Sequence, residues 1–216
     1  MFDLFALKRY LYSTKIKVMI KKILFALGIA TIVVIAQSFI DKAMISKDET
    51  AGPVKWYTFE EAVALQKKNP KPIMVDIYTS WCGPCKMMSK NTFGHPIIAK
   101  YLNEHYYPVK FDAETRDSVK FNGYVFANKN PEGTPRPVHD FAISILEGKL
   151  SYPSVVFLNE DIKKLHTVVG YYKADQFEPY LKFFGSGKYK DTKWEDFLNT
   201  FVAETKEPEP ATFPGK

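Results

Sequence analysis

The sequence predicts an α/β fold built on a mixed β-sheet, and three observations carry that prediction. The run Pro72-Ile73-Met74-Val75-Asp76-Ile77-Tyr78 is apolar and β-prone, and reads as a buried strand. It feeds a Cys-x-x-Cys turn that opens onto the unbranched, helix-prone Lys86-Met87-Met88-Ser89-Lys90. A second strand-like run, Tyr106 to Asp112, follows that helical stretch, and the right-handed crossover rule makes it parallel to the first. A third, Val155 to Leu158, is joined through the short turn Asn159-Glu160-Asp161 to Lys164–Gly170, which makes those two antiparallel.

Taken in order, the chain opens with a basic segment. Residues 1–38 hold Lys8, Arg9, Lys15, Lys17, Lys21 and Lys22 against Asp3, so most of the net charge of +6 sits there. The rest of the chain is close to neutral and has no electrostatic footprint for nucleic acid. Lys21-Lys22 precede Ile23–Ile40, which is free of charge, and Ala36-Gln37-Ser38 offers small residues at a cleavage site. Residues 1–38 therefore read as a signal peptide, with Met19 an alternative start, or else as a retained membrane anchor near the lower length limit for a span. Either reading places the chain from about residue 39 onward outside the cytoplasm. Residues 39–55, with Gly52-Pro53, read as a linker.

The domain is expected over residues 56–206. With 46% hydrophobic residues, the 216-residue chain can build one sizeable core. Thr58-Phe59-Glu60-Glu61 is a capping box that starts a helix stopping before Asn69-Pro70. The helix after Cys85 should break at Gly94-His95-Pro96 and resume through Ile97–Leu102. Residues 113–140 are rich in turn signals, with Tyr124-Val125-Phe126 a short strand or hairpin arm between them. A segment of this kind is expected to be a surface elaboration or a functional, mobile loop. Val138–Leu150 offers Phe141, Ile145 and Leu146 at helical spacing, ending at Gly148. Ala174–Phe184 is the helix that covers the sheet. Thr192-Lys193-Trp194-Glu195 is a second capping-box pattern, starting a helix over about 192–205 with the stripe Trp194, Phe197, Leu198, Phe201 and Val202. Residues 207–216 hold three prolines and read as a disordered tail.

Trp81-Cys82-Gly83-Pro84-Cys85-Lys86 is the stretch that carries chemistry. A helix N-terminus bears roughly +0.5 charge and free N–H donors, so a thiolate there is favoured over a thiol. Lowering a cysteine pKa from about 8.5 to about 7 takes only about 2 kcal/mol of preference for the anion. Cys82 is expected at the turn, exposed and nucleophilic. Cys85, one helical turn further in, is expected to be more buried and to act as the resolving thiol. Asp76 is an acid inside an apolar strand, where burial raises its pKa toward a value useful for proton transfer. These are the only two cysteines, and His95, His105, His139 and His166 show no paired ligand spacing, so neither zinc nor another metal is expected.

The Trp-Cys-Gly-Pro-Cys-Lys motif, with Asp76 six residues before Cys82, resembles the active site of the thioredoxin family. Thr92-Phe93 and Pro96 further resemble the periplasmic thioredoxin-like domain of membrane thiol:disulfide interchange reductases. The resemblance covers roughly residues 56–184. It implies a thioredoxin-like fold: a central mixed sheet flanked by helices, with an N-terminal helix, an insertion before the cis-proline strand and an extra C-terminal helix. It also implies catalytic roles for Cys82, Cys85, Asp76 and Lys110, with Lys110 partnering Asp76 from the neighbouring strand. Trp81, Gly83, Pro84, Tyr152 and Pro153 are implied as the substrate-binding rim, Pro153 being cis and facing the cysteines. Tyr152 is bulkier than the Thr or Val usual at its place. The function implied is thiol–disulfide exchange on protein substrates without an organic cofactor, with electrons from a membrane partner. Gly83-Pro84 resembles the central dipeptide of reducing thioredoxins, and an oxidant, an isomerase or a non-catalytic binding module remain alternatives.

Overall fold

A computed structural model describes residues 52–205. The leader or anchor expected over 1–38, most of the linker and the tail at 207–216 lie outside the described residues. Among those described, no helix is long and apolar enough to cross a membrane.

Helix α1 (Phe59–Lys68) leads into strand β1 (Ile73–Tyr78), then α2 (Gly83–Asn91), α3 (Pro96–His105) and β2 (Tyr107–Asp112). A hairpin, β3 (Val119–Phe121) and β4 (Tyr124–Phe126), precedes the short α4 (Asp140–Ile145). Strands β5 (Ser154–Leu158) and β6 (Lys164–Val169), helix α5 (Ala174–Gly185), a 3₁₀ turn (Lys188–Lys190) and α6 (Trp194–Thr200) complete the order. The main sheet runs β2-β1-β5-β6, with β1 parallel to β2 and antiparallel to β5, and β6 antiparallel to β5. This is a thioredoxin-like mixed sheet, and the two-residue period of its strands divides the core between its faces. Met74, Val155 and Phe157 point to the face covered by Met88, Ile98, Leu102, Phe177 and Leu181. Ile73, Val75, Ile77 and Val156 point to the other, with Phe59, Val109, Phe111 and Phe141.

Local signals explain the boundaries. The Thr58 hydroxyl accepts the Glu61 N–H, and the Glu61 carboxylate accepts the Thr58 N–H at 2.8 Å, so α1 begins in a reciprocal cap. Between α2 and α3, a Cβ on Gly94 would lie 2.3 Å from the Lys90 carbonyl oxygen, so only glycine lets the chain turn that tightly. His95 then caps α3 ahead of Pro96.

Two helices are shorter than their sequence patterns predict. The stretch 138–150 gives only the six-residue α4, because Glu147 and Gly148 adopt positive φ and turn the chain out. The Thr192 box does not form. Its hydroxyl bonds the Asp191 carboxylate at 2.7 Å and its N–H serves the preceding 3₁₀ turn, so Lys193 becomes the N-cap of α6. Helix α6 ends before Phe201. Trp194 and Phe197 pack on Tyr180 and Phe183, while Val202 is 82% exposed. The segment after α6 is fastened instead by Glu178, a fully buried carboxylate that accepts from Lys182, Thr205 and the Glu204 N–H.

The insertion at 113–140 is tied down throughout. Arg116 donates to the carbonyls of Asn130 (2.5 Å) and Pro131 (3.1 Å), and Asn130 donates to the Val138 carbonyl. Phe121 and Phe126 pack against Phe59 and Phe141. His139, with no exposed surface, closes the loop: its N–H reaches the Ala113 carbonyl and its Nδ1 caps α4 by accepting the Phe141 N–H. That leaves Nε2 as the protonated nitrogen, donating to the Asp117 carbonyl at 3.0 Å.

Candidate active site

The chain leaves the sheet at Thr79 and turns back, the Cys82 N–H donating to the Thr79 carbonyl at 3.2 Å. This places Cys82 at the N-cap of α2, where its Sγ accepts the Cys85 N–H at 3.1 Å. Pro84 lies in the first helical turn, where its missing N–H costs no hydrogen bond. Cys82 and Cys85 form a disulfide with Cα atoms 5.3 Å apart. The expectation that Cys82 is exposed and Cys85 the more buried of the two is corrected: Cys82 is 3% and Cys85 6% exposed. In the disulfide the first sulfur turns inward over the helix end to meet the second. The exposed rim around it consists of Trp81, Gly83 and Pro84. A Cβ on Gly83 would meet nothing within 4 Å, so the fold itself does not require glycine there.

Asp76 lies on the Met74 face of β1, the face that α2 covers, and is 3% exposed. In the β1–β2 register its partner is Lys110, whose Nζ lies 3.0 Å from Oδ2. The ammonium is boxed by the rings of Trp56 (4.8 Å) and Tyr78 (4.9 Å), with Ser89 Oγ at 3.5 Å. Burial raises the Asp76 pKa, and the Lys110 charge and hydrogen bond oppose that rise without cancelling it.

The Tyr152–Pro153 peptide bond is cis. The Pro153 carbonyl accepts the Gly170 N–H at 2.8 Å, whereas the N–H and C=O of Tyr152 take no partner among the described residues. The Tyr152 ring meets Trp81 edge-on at 6.2 Å, and its hydroxyl is buried without a partner. Burial raises the Tyr152 pKa, as do the nearby Glu114 and Asp112 charges.

Sequence reasoning did not find the other two groups on Trp81. The indole N–H donates to Glu114 Oε1 at 2.8 Å, and the Arg136 guanidinium lies 4.4 Å from the ring centroid. Both come from the insertion. The only sequence signal at Arg136 is its place between two prolines in a turn-rich segment.

A family model described as "Protein of unknown function, DUF255" (Thioredox_DsbH) matches residues 41–135. The uncharacterized protein B0495.5 of Caenorhabditis elegans is 34% identical over 89 residues, covering 40% of this chain and 12% of that protein. The thiol:disulfide interchange protein DsbD of Pectobacterium atrosepticum is 26% identical over 119 residues, 54% of this chain and 17% of its own length. A thioredoxin of Borreliella burgdorferi is 27% identical over 142 residues, 65% of this chain and 97% of the thioredoxin. The chain thus spans only a small part of the first two relatives and nearly all of the third. Sheet order, the disulfide at the head of α2 and these relatives agree: the chain carries a thioredoxin-like disulfide oxidoreductase fold, similar to DsbD and DsbH.

Proposed function

We propose that this chain is an exported thiol–disulfide oxidoreductase that reduces disulfides of periplasmic client proteins through Cys82 and Cys85. The observation that carries the reading is the disulfide at the head of α2, with Cys82 Sγ already accepting a helix N–H. In the reduced protein the same N–H and the helix end favour the Cys82 thiolate. That thiolate attacks one sulfur of the client disulfide, forming a mixed disulfide and expelling a client thiolate. Cys85 then gives up its proton to Asp76 and attacks Cys82 Sγ. The S–S bond to the client breaks, a second client thiolate leaves, and Cys82–Cys85 closes. Two electrons have moved to the client, and a dithiol donor at the membrane must restore them.

Asp76 serves as the proton acceptor because burial lifts its carboxyl above the ordinary range, and Lys110 holds it in place. The free backbone groups of Tyr152 offer a client strand two hydrogen bonds beside the disulfide, a form of β-augmentation. Gly83-Pro84, as in reducing thioredoxins near about −270 mV, supports reductant over oxidant, strong oxidants lying near about −120 mV. The thiol:disulfide interchange relative supports the same chemistry.

The test is insulin reduction with dithiothreitol as electron source. The wild type is expected to accelerate it, Cys82→Ala to abolish the acceleration, and Cys85→Ala to accumulate a mixed disulfide visible on non-reducing gels. No acceleration by the wild type would leave a binding module as the better reading. Titration against glutathione then fixes direction, a potential near the oxidant range overturning the reductant assignment.

A further inference from the structure

The Arg136 side chain is exposed and its guanidinium sits over the ring of a tryptophan adjoining the reactive disulfide, yet it has no salt-bridge or hydrogen-bond partner among the described residues. Neither Glu114 nor Asp112, the acids that flank this end of the insertion, pairs with Arg136. Glu114 accepts the Trp81 indole N–H, and Asp112 accepts the Glu114 backbone N–H at 2.9 Å. The Arg136 backbone is also constrained. Its φ is +51°, a left-handed conformation that a residue with a side chain adopts only where its surroundings impose it. Pro135 and Pro137 restrict the chain on both sides, and the Arg116, Asn130 and His139 bonds anchor the loop beneath. Trp81, in turn, touches Tyr152, whose backbone N–H and C=O take no partner among the described residues and are the groups proposed above to pair with a client strand. The guanidinium therefore stands one ring away from the position proposed above for the client strand.

We propose that Arg136 is a specificity-determining residue that receives a carboxylate of the client, one or two residues from its reacting cysteine. The inference rests on the oxidoreductase reading. The cation–π contact with Trp81 positions the guanidinium over the ring, and its N–H groups, bonded to nothing else among the described residues, are available to form a fork for Asp or Glu. The same contact couples client docking to the residue that adjoins Cys82, so the preference acts on the first exchange step.

The test uses the full chain, reduced and freed of reductant, with cyclic disulfide peptides identical except for Glu, Gln or Lys beside one cysteine. Rates are followed by quenching and counting peptide thiols. The Glu peptide is expected to react about tenfold faster than the Lys peptide, with Gln between them, and the ratio should shrink as salt is raised. Arg136→Gln should bring the Glu-to-Lys ratio to near 1, while Arg136→Lys keeps part of it. A wild-type ratio near 1, or one that survives Arg136→Gln, overturns the assignment of Arg136 and leaves the oxidoreductase reading intact. Failure to reduce any of the three peptides, or insulin, overturns both. Circular dichroism of each variant identifies loss of fold, in which case the Arg136→Lys ratio decides.

Discussion

At Asp76, stability and the proton transfer proposed above pull in opposite directions. A carboxyl whose folded pKa is raised holds its proton more tightly in the folded than in the unfolded chain. Stability is therefore lost as pH climbs from the ordinary carboxylate range through the folded value, and the loss is complete above it. Asp76→Asn removes that charge while keeping the shape and a bond to Lys110. Its urea midpoint is expected above wild type at neutral pH and equal to wild type at about pH 3, where both groups are neutral. Asparagine cannot take the Cys85 proton, so release of the mixed disulfide should slow on the order of 10²-fold in single-turnover experiments. Equal release rates would remove Asp76 from the mechanism. Asp76 was legible from sequence because an acid inside Ile73–Tyr78 conflicts with every neighbour. The Arg136–Trp81–Glu114 cluster was not, since residues 55 and 33 positions away from Trp81 meet it only through the path of the insertion.

One of the groups that fasten the insertion titrates. His139 Nδ1 must be unprotonated to cap α4, and burial holds the ring's pKa below its usual value. A histidine with a depressed folded pKa gives stability that is full above about pH 6.5 and lost as pH falls toward the folded value. Hydrogen-exchange protection of the β3–β4 hairpin is therefore expected to weaken at about pH 5.5 relative to neutral pH. His139→Asn, which can cap but does not titrate, should be less stable by about 1 kcal/mol and insensitive over that window. Unchanged protection across the window in wild type would show that something other than His139 holds the loop. The helix caps show where local patterns suffice. Thr58-x-x-Glu61 forms its box because nothing competes for the hydroxyl, whereas Thr192 has an aspartate immediately before it and turns to that instead. Identical patterns gave different outcomes because of a neighbour that the pattern does not count.

Across the whole molecule, the two-sided core was the most readable feature. The nearly unbroken apolar runs at Ile73–Tyr78 and Val155–Leu158 mark strands buried on both faces, which is how the core divides. The burial of Cys82 was least readable, because a position at a turn says nothing about which way a bonded sulfur points. That burial has a kinetic consequence. With both sulfurs almost covered, and Trp81, Gly83 and Pro84 bordering what remains, the electron donor and the client of the proposed oxidoreductase would have to use one doorway. They cannot occupy it together, so turnover should follow an alternating, double-displacement scheme. Double-reciprocal plots at several donor concentrations should be parallel, and each partner in excess should inhibit the other; intersecting lines would instead mean a complex holding both at once.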